Sequence, residues 1–413
     1  MRRASTLLAA ASAAVLLLTG SAQGSAACDQ MRSMLTRGGG SASGLLVVEA
    51  ESGNVVCARA AGTPRFLASN MKLFTTATVL ARLGPQARIP TKVFADGRVD
   101  PGGVLHGSLY LQGGGDPTLG TPTFYNGYLA GLGTNVFALV PQIRAAGIRA
   151  IAGRIYGDDT IFDRRRGVAD SGYATSSYIG PLSGLAFNSG FAGSSSASGF
   201  SSDPAKLATT KLARALRAGG VGVPAQVALA ATPAGAERVA AVRSPTLGEI
   251  VNVTDVYSDN FFAETLIKLL GARLGGRGST AAGAAVVEEF ARDHGAIVDA
   301  IDGSGLTRGN RAAPREVVDL LLAMRGDAAG DEFIQDLALT GKEGTVEDRM
   351  HGTAAYGRCR TKTGTITAVS NLSGYCFNKS GKIMAFSILM NGVGDLGLAH
   401  LEQDRIAGLV ASY

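Results

Sequence analysis

Phe66-Leu67-Ala68-Ser69-Asn70-Met71-Lys72-Leu73-Phe74 is the stretch around which the rest of this chain arranges itself. It continues through Thr75 and Val79 to a Gly84-Pro85 stop, which reads as a helix of about four turns opened by Ser69. A lysine three residues after a serine shares its helix face, so Lys72 lies within reach of the Ser69 hydroxyl. Alone, a Ser-x-x-Lys string arises often by chance. Here it occurs once, followed in order by Ser258-Asp259-Asn260 and by a single Lys362-Thr363-Gly364. Together the three strings supply the nucleophile, amines and hydroxyls that acyl transfer through a serine requires. A second Ser-x-Asn, Ser52-Gly53-Asn54, precedes the nucleophile in a tight turn between two strands and is read as structural.

Working outward, Gly44 to Ala60 reads as a hairpin: Leu45 to Val48, a turn over Glu51 to Asn54, then Val55 to Cys57. The strand carrying Lys362 is followed by strands at Leu372 to Phe377 and Ile383 to Met390, and by a closing helix from Leu398 to Val410. Two strands before the nucleophile and three at the end make one antiparallel five-stranded sheet flanked by helices, assembled from sequence-distant halves. The fold class is α+β and multidomain. A catalytic domain in two segments, 28–84 and 245–413, is split by an inserted region, 85–244. The insert is strand-like and turn-rich, as at Val104 to Gln112 with Gly113-Gly114-Gly115-Asp116-Pro117 after it, and Gly190 to Ser202 reads as a flexible loop.

A chain of 413 residues exceeds one core of ordinary size. With 46% hydrophobic and 17% charged residues it suits a packed enzyme better than a disordered chain. The +6 formal charge comes from scattered arginines, and Arg164-Arg165-Arg166 has no aromatic partner beyond Phe162, so nucleic-acid binding is not indicated. Arg2-Arg3, an apolar run from Leu7 to Leu18 and small residues through Ala27 read as a secretory signal peptide over 1–27. No later run reaches transmembrane length, so the mature protein is expected in the periplasm or extracytoplasmic envelope without a membrane span. A lipid-modified Cys28 competes with this reading, but Ser25 stands where a lipoprotein signal normally has leucine. Four cysteines in an exported chain suggest two disulfides, with three pairings formally possible. A hairpin turning at Thr367-Ala368 places Cys359 opposite Cys376, which leaves Cys28 to join Cys57.

The chemistry follows from residue types. A serine hydroxyl is a poor nucleophile until a base removes its proton, and Lys72 can be that base if its pKa is lowered by desolvation and by a second cation, Lys362. Ser258 and Asn260, just before a helix from Phe261 to Leu270, can relay a proton to the leaving amine and hold the substrate amide. Lys362, Thr363 and Thr365 on an edge strand offer a cation and two hydroxyls to a substrate carboxylate, and Gly364 allows close backbone approach. The backbone N–H groups of Ser69 and Thr365 can form an oxyanion hole. The histidines, His106, His294, His351 and His400, have no metal-ligand spacing and no C-x-x-C occurs, so no metal or other cofactor is expected. Gly113-Gly114-Gly115 lacks the Lys-Ser/Thr of a phosphate cradle, and no Gly-x-Ser-x-Gly elbow supports a Ser-His-Asp triad.

With these strings stand Gly113-Gly114-Gly115-Asp116-Pro117-Thr118-Leu119, Gly157-Asp158-Asp159-Thr160-Ile161-Phe162, Asp302-Gly303-Ser304-Gly305-Leu306-Thr307-Arg308 and Gly344-Thr345-Val346-Glu347-Asp348-Arg349-Met350. The whole set resembles the D-alanyl-D-alanine carboxypeptidases and endopeptidases of the penicillin-binding protein 4 type, class C low-molecular-mass penicillin-binding proteins. The resemblance implies a β-lactamase/transpeptidase-like domain and an insert with a smaller nested domain, about 154–224. It implies hydrolysis of D-Ala-D-Ala termini or D-Ala-diaminoacid cross-links of peptidoglycan stem peptides, with β-lactams as covalent inhibitors. It further implies that Arg308 and Asp158 contact the far end of a diaminopimelyl side chain. A serine β-lactamase shares the three strings, but those enzymes normally carry no large insert before Ser-x-Asn and no Glu-x-x-x-Asn loop appears between Ser258 and Lys362. An inactive β-lactam- or peptidoglycan-binding protein is a third reading, against which the intact Ser69, Lys72, Ser258, Asn260 and Lys362 count.

Overall fold

The computed structural model describes residues 26–413, so all but the last two positions of the expected signal segment lie outside the described residues. Helix α1 (26–39) leads into β1 (Gly44–Glu49) and β2 (Val55–Arg59), the expected hairpin. Ser69 lies in a single 3-10 turn, Ala68–Asn70, that runs directly into α2 (Met71–Leu83). The expected helix is present, but its opening turn is tighter than α.

The inserted region contributes β3 (Arg88–Val99), β4 (Val104–Gln112), α3 (Leu139–Ala145), β5 (Ile155–Asp158), α4 (Pro204–Ala218), β6 (Val227–Leu229) and β7 (Glu237–Thr246). Its sheet runs β6-β5-β4-β3-β7, with β5 parallel to both neighbours, β4-β3 and β3-β7 antiparallel, and a two-residue strand at Ala150–Ile151 parallel to the start of β4. Thr246 on β7 stands opposite Arg88 on β3, so the chain enters and leaves the insert at one place. The smaller nested unit expected at about 154–224 has no core of its own. Strand β5 is interior to the sheet, and Leu212 and Leu216 of α4 share the sheet's core with Leu109 and Ile155. Phe162, Val168, Ile179 and Leu182 pack instead into the helical layer beside the catalytic sheet.

Thr246 then caps α5 (Leu247–Val256) reciprocally with Glu249. Helices α6 (Asn260–Arg273), α7 (Thr280–Asp293) and α8 (Pro314–Arg325) follow, then β8 (Ala338–Leu339), β9 (Cys359–Ile366), β10 (Val369–Phe377), β11 (Ile383–Asn391) and α9 (Leu396–Ser412). The catalytic sheet runs β8-β9-β10-β11-β1-β2 and is antiparallel throughout. It therefore holds the five expected strands plus the two-residue β8. Leu45 and Val47 of β1 face a core shared with Met31 of α1 and with Ile406 and Val410 of α9. Leu46 and Val48 face the core of α2, α6 and α8. Burial on both faces is why β1 reads as an unbroken apolar run rather than an alternating one. Cys359 pairs with Cys376 in register across β9 and β10, and both this pair and Cys28 with Cys57 are disulfide-bonded.

Candidate active site

Buried amides hold the turn carrying Ser69 against the catalytic sheet. Asn70 Nδ2 donates to the Lys362 carbonyl at 2.9 Å, and its Oδ1 accepts from Ser373 Oγ at 2.8 Å. Asn371 Nδ2 donates to the carbonyls of Phe66 and Leu67 at 2.9 and 2.8 Å. Fixed this way, Ala68 adopts a φ of 45°, a conformation that L-residues avoid unless the surroundings enforce it. Two glycines make the approach possible. A Cβ on Gly364 would sit 2.9 Å from the Leu67 carbonyl oxygen and 3.0 Å from the amide nitrogens of Ser69 and Asn70. One on Gly305 would sit 1.7 Å from the Ala68 carbonyl oxygen. Gly364, expected to make room for a ligand backbone, makes room for the nucleophile's own turn.

Lys72 is fully buried, and its Nζ lies 3.1 Å from Ser69 Oγ, 2.7 Å from Asn260 Oδ1 and 2.8 Å from the Ser304 carbonyl. A neutral amine has two N–H bonds and one lone pair. The two carbonyl oxygens, which can only accept, take both N–H bonds and leave the lone pair aimed at the Ser69 hydroxyl. The Asn260 amide is oriented in turn by Nδ2 donating to the Tyr178 carbonyl at 3.1 Å. Burial lowers Lys72 to about 8, against the pull of the carboxyls of Asp255, Glu264, Asp259 and Asp302. Burial, and after it the Lys72 charge, depresses Lys362 as well, with Asp255 opposing. Of the two causes expected from the sequence, desolvation and the Lys362 charge, desolvation is the one that lowers Lys72.

Strand β8 covers only the start of β9, with Ala338 opposite Thr361 and Leu339 opposite Arg360, so Lys362 to Ile366 are open on their outer edge. That edge borders a cleft of about 510 Å³ lined by Ser69, Tyr178, Ser258, Asn260, Leu306, Thr345, Arg349, Thr363, Thr365, Ile366, Thr367 and His400. Ser258 reaches it with a φ of 60°, one residue before the Asp259 cap of α6. The cleft thus brings together Ser69, Ser258, Asn260, Thr363 and Thr365, with Lys72 and Lys362 buried behind them.

The two outlying candidates separate. Arg308 is exposed at the rim, donating to the Thr367 carbonyl and stacking over Phe66 at 5.0 Å. Asp158 is not in the cleft. Its carboxylate is 2% exposed and accepts from Gln112 Nε2, from the backbone N–H and hydroxyl of Thr160, and from both groups of Thr232. The expected Asp158 subsite is therefore corrected: its acceptors are spent joining β4, β5 and the loop after β6. Adjacent Asp159 is likewise occupied, by Arg166 and Ser183. Tyr178, Thr345, Arg349 and His400 were not expected in the cleft. Thr345 and Arg349 sit in a string noted in the sequence, but nothing in its composition indicates proximity to Ser69.

A profile of the D-Ala-D-Ala carboxypeptidase 3 (S13) family matches residues 28–198 and 191–412. The chain belongs to that family. It is 31% identical to a D-alanyl-D-alanine carboxypeptidase of an Actinomadura strain, over 91% of this chain and 82% of the relative. It is 29% identical to a carboxypeptidase of Mycobacterium tuberculosis, over 85% and 76%. In fold it is similar to the crystal structure of penicillin binding protein 4 from Haemophilus influenzae, with a TM-score of 0.75 and 20% identity over 92% of this chain and 99% of the other. It also resembles a predatory peptidoglycan endopeptidase from Bdellovibrio bacteriovorus, with a TM-score of 0.56 and 19% identity over 88% and 90%. The S13 chain described here is thus a serine-type D-Ala-D-Ala carboxypeptidase on a transpeptidase-like α+β fold.

Proposed function

We propose that this peptidase cleaves D-Ala-D-Ala termini, and D-Ala-diaminoacid cross-links, of peptidoglycan stem peptides through an acyl-enzyme on Ser69. The observation that carries this reading is the Lys72 amine, held by two carbonyls so that its lone pair meets the Ser69 hydroxyl. Ser69 Oγ attacks the carbonyl of the scissile bond while its proton passes to Lys72. Backbone N–H groups of Ser69 and Thr365 receive the negative oxygen that develops. Ser258 relays a proton to the departing amine, Asn260 orients the substrate amide, and water then hydrolyses the ester. Thr363 and Thr365 hold the terminal carboxylate along the open edge of β9, with the Lys362 amine buried behind them, and the peptide adds there as a strand.

β-Lactams acylate the same serine. No carboxylate lines the cleft among the described residues, which supports persistence of the adduct rather than rapid hydrolysis. The catalytic unit comprises 28–84 and 245–413 with 85–244 inserted, and it works outside the cytoplasm. Two disulfides and the basic-apolar leader support that location, and no described helix is long and apolar enough to cross a membrane. The test is incubation with defined muropeptide monomers and cross-linked dimers, together with mass mapping of a penicillin adduct. Loss of terminal D-alanine and an adduct on Ser69, absent in Ser69→Ala and Lys72→Ala, are expected. Intact muropeptides, or an adduct elsewhere, would overturn the reading.

A further inference from the structure

Of the two carbonyls that aim Lys72, one belongs to the Asn260 side chain and the other to the backbone of Ser304. A backbone carbonyl points where its loop points, and the loop Asp302–Thr307 is held from the side opposite Lys72 by Glu264 of α6. Glu264 Oε1 accepts from the N–H of Gly303 at 2.9 Å and of Ser304 at 2.7 Å. On the facing side Thr75 Oγ1, one turn along α2 from Lys72, donates to the Gly303 carbonyl at 3.0 Å. The Gly303–Ser304 peptide plane is thus clamped between α6 and α2, and the next plane, which carries the Ser304 carbonyl, is held by the Gly305 N–H donating to Asp302 Oδ1 at 2.7 Å. The loop packs directly on the α6 backbone, since a Cβ on Gly303 would lie 2.5 Å from the Ala263 carbonyl oxygen.

We propose that Glu264 is a positioning residue for acylation: by fixing the Gly303–Ser304 peptide it anchors the next peptide in the chain, whose Ser304 carbonyl directs the Lys72 lone pair toward Ser69. Glu264 touches neither the nucleophile nor the cleft, and it is fully buried. What the clamp needs is an oxygen acceptor of this length, not a charge. Burial, and after it the Asp302 carboxyl, hold Glu264 well above the usual carboxylate range, which favours the neutral acid. Asp302 acts on the other side of the Ser304 carbonyl rather than in Glu264's place: its oxygens accept from the N–H of Gly305, which shares that carbonyl's peptide plane, from the N–H of Thr307 and from Asn310 Nδ2. A short surface salt bridge would leave a like residue free to move, whereas this acceptor has two donors and no room.

The inference rests on Lys72 being the base, so the experiment separates the two. Penicillin acylation is resolved into the dissociation constant of the first complex and the rate constant of the covalent step. Glu264→Gln keeps a neutral acceptor of the same length and is expected to leave the covalent step within about threefold of wild type. Glu264→Leu removes the acceptor and Glu264→Asp withdraws it by one methylene. Both are expected to slow the covalent step on the order of ten- to a hundred-fold, with the dissociation constant little changed. If the leucine variant does not accumulate as folded protein, the aspartate variant carries the comparison. A covalent step at wild-type rate in either folded variant, or one as slow in Glu264→Gln as in Glu264→Leu, overturns the positioning role. Lys72→Ala is measured alongside. Normal acylation there overturns the base assignment and Glu264's role with it, whereas a Lys72-dependent enzyme indifferent to Glu264 overturns only the latter.

Discussion

To serve as the proposed base, Lys72 has to give up a proton before it accepts one from Ser69, and burial lowers its pKa to about 8. The sign follows directly: the base form grows as pH rises, so penicillin acylation should climb through the range around pH 8 and fall away below it. A stopped-flow profile that stays flat from about pH 5 to 9 would exclude a titrating amine as the base. At the rim, Arg308→Ala is expected to slow hydrolysis of diaminopimelyl peptides about ten- to a hundred-fold while leaving penicillin acylation nearly unchanged, since the drug lacks that side chain. Asp158→Asn should behave differently. It weakens a buried acceptor, so a loss of about 1–3 kcal/mol in unfolding stability and equal effects on both substrates are expected, read by denaturation and by paired kinetics. The convergence of Ser69, Lys72, Ser258, Asn260, Thr363 and Thr365 was legible in the sequence because the three strings carry particular residue types in a fixed order, with Ser69 and Lys72 at a helical spacing. Asp158 was misread because the resemblance gave it a role without its partners, and two of those, Thr160 and Thr232, are separated by the whole of α4.

Strand β9 and the turn before α2 meet at backbone distance, an approach that tolerates no side chain at Gly364. Gly364→Ala should therefore cost about 1–3 kcal/mol and displace Ser69, visible as a slowed penicillin adduct in protein that still folds. The other end of the same strand is tied by Cys359 to Cys376, and peptide mapping without reductant should recover that pair and Cys28 with Cys57. Finding Cys359 free, or joined to Cys28 or Cys57, would refute the pairing. Reduction is expected to lower stability by about 2–4 kcal/mol for each bond. The hairpin and this pairing were legible because register follows from a turn at Thr367-Ala368. Cleft residues such as Tyr178 and His400 were not, since their approach to Ser69 depends on how separate loops pack, which no local pattern encodes.

In the whole molecule, the insert does more than interrupt the catalytic domain. Its Tyr178 carbonyl orients Asn260, and Asp163 with the Arg165 carbonyl receives the buried Lys268 of α6, so the insert bears on the helix that also carries Glu264. The expectation of a split domain came from counting strands on either side of Ser69, whereas this reach of the insert into the site had no counterpart in composition or spacing. The split has a consequence in time. Strand β1 pairs with β2 and β11, so the chain makes its nucleophile early and the strand that joins the two halves of the sheet almost last. Contacts so distant in sequence form late and slowly. A chain ending at Lys382 should take up no labelled penicillin on a gel, and measurable labelling would show that β11 is dispensable. The insert, whose two ends lie side by side, can close long before. On that expectation the hydrolase is built with its own delay: the reactive serine is in the chain early, and the frame that seats it is complete only when the last strand has been added.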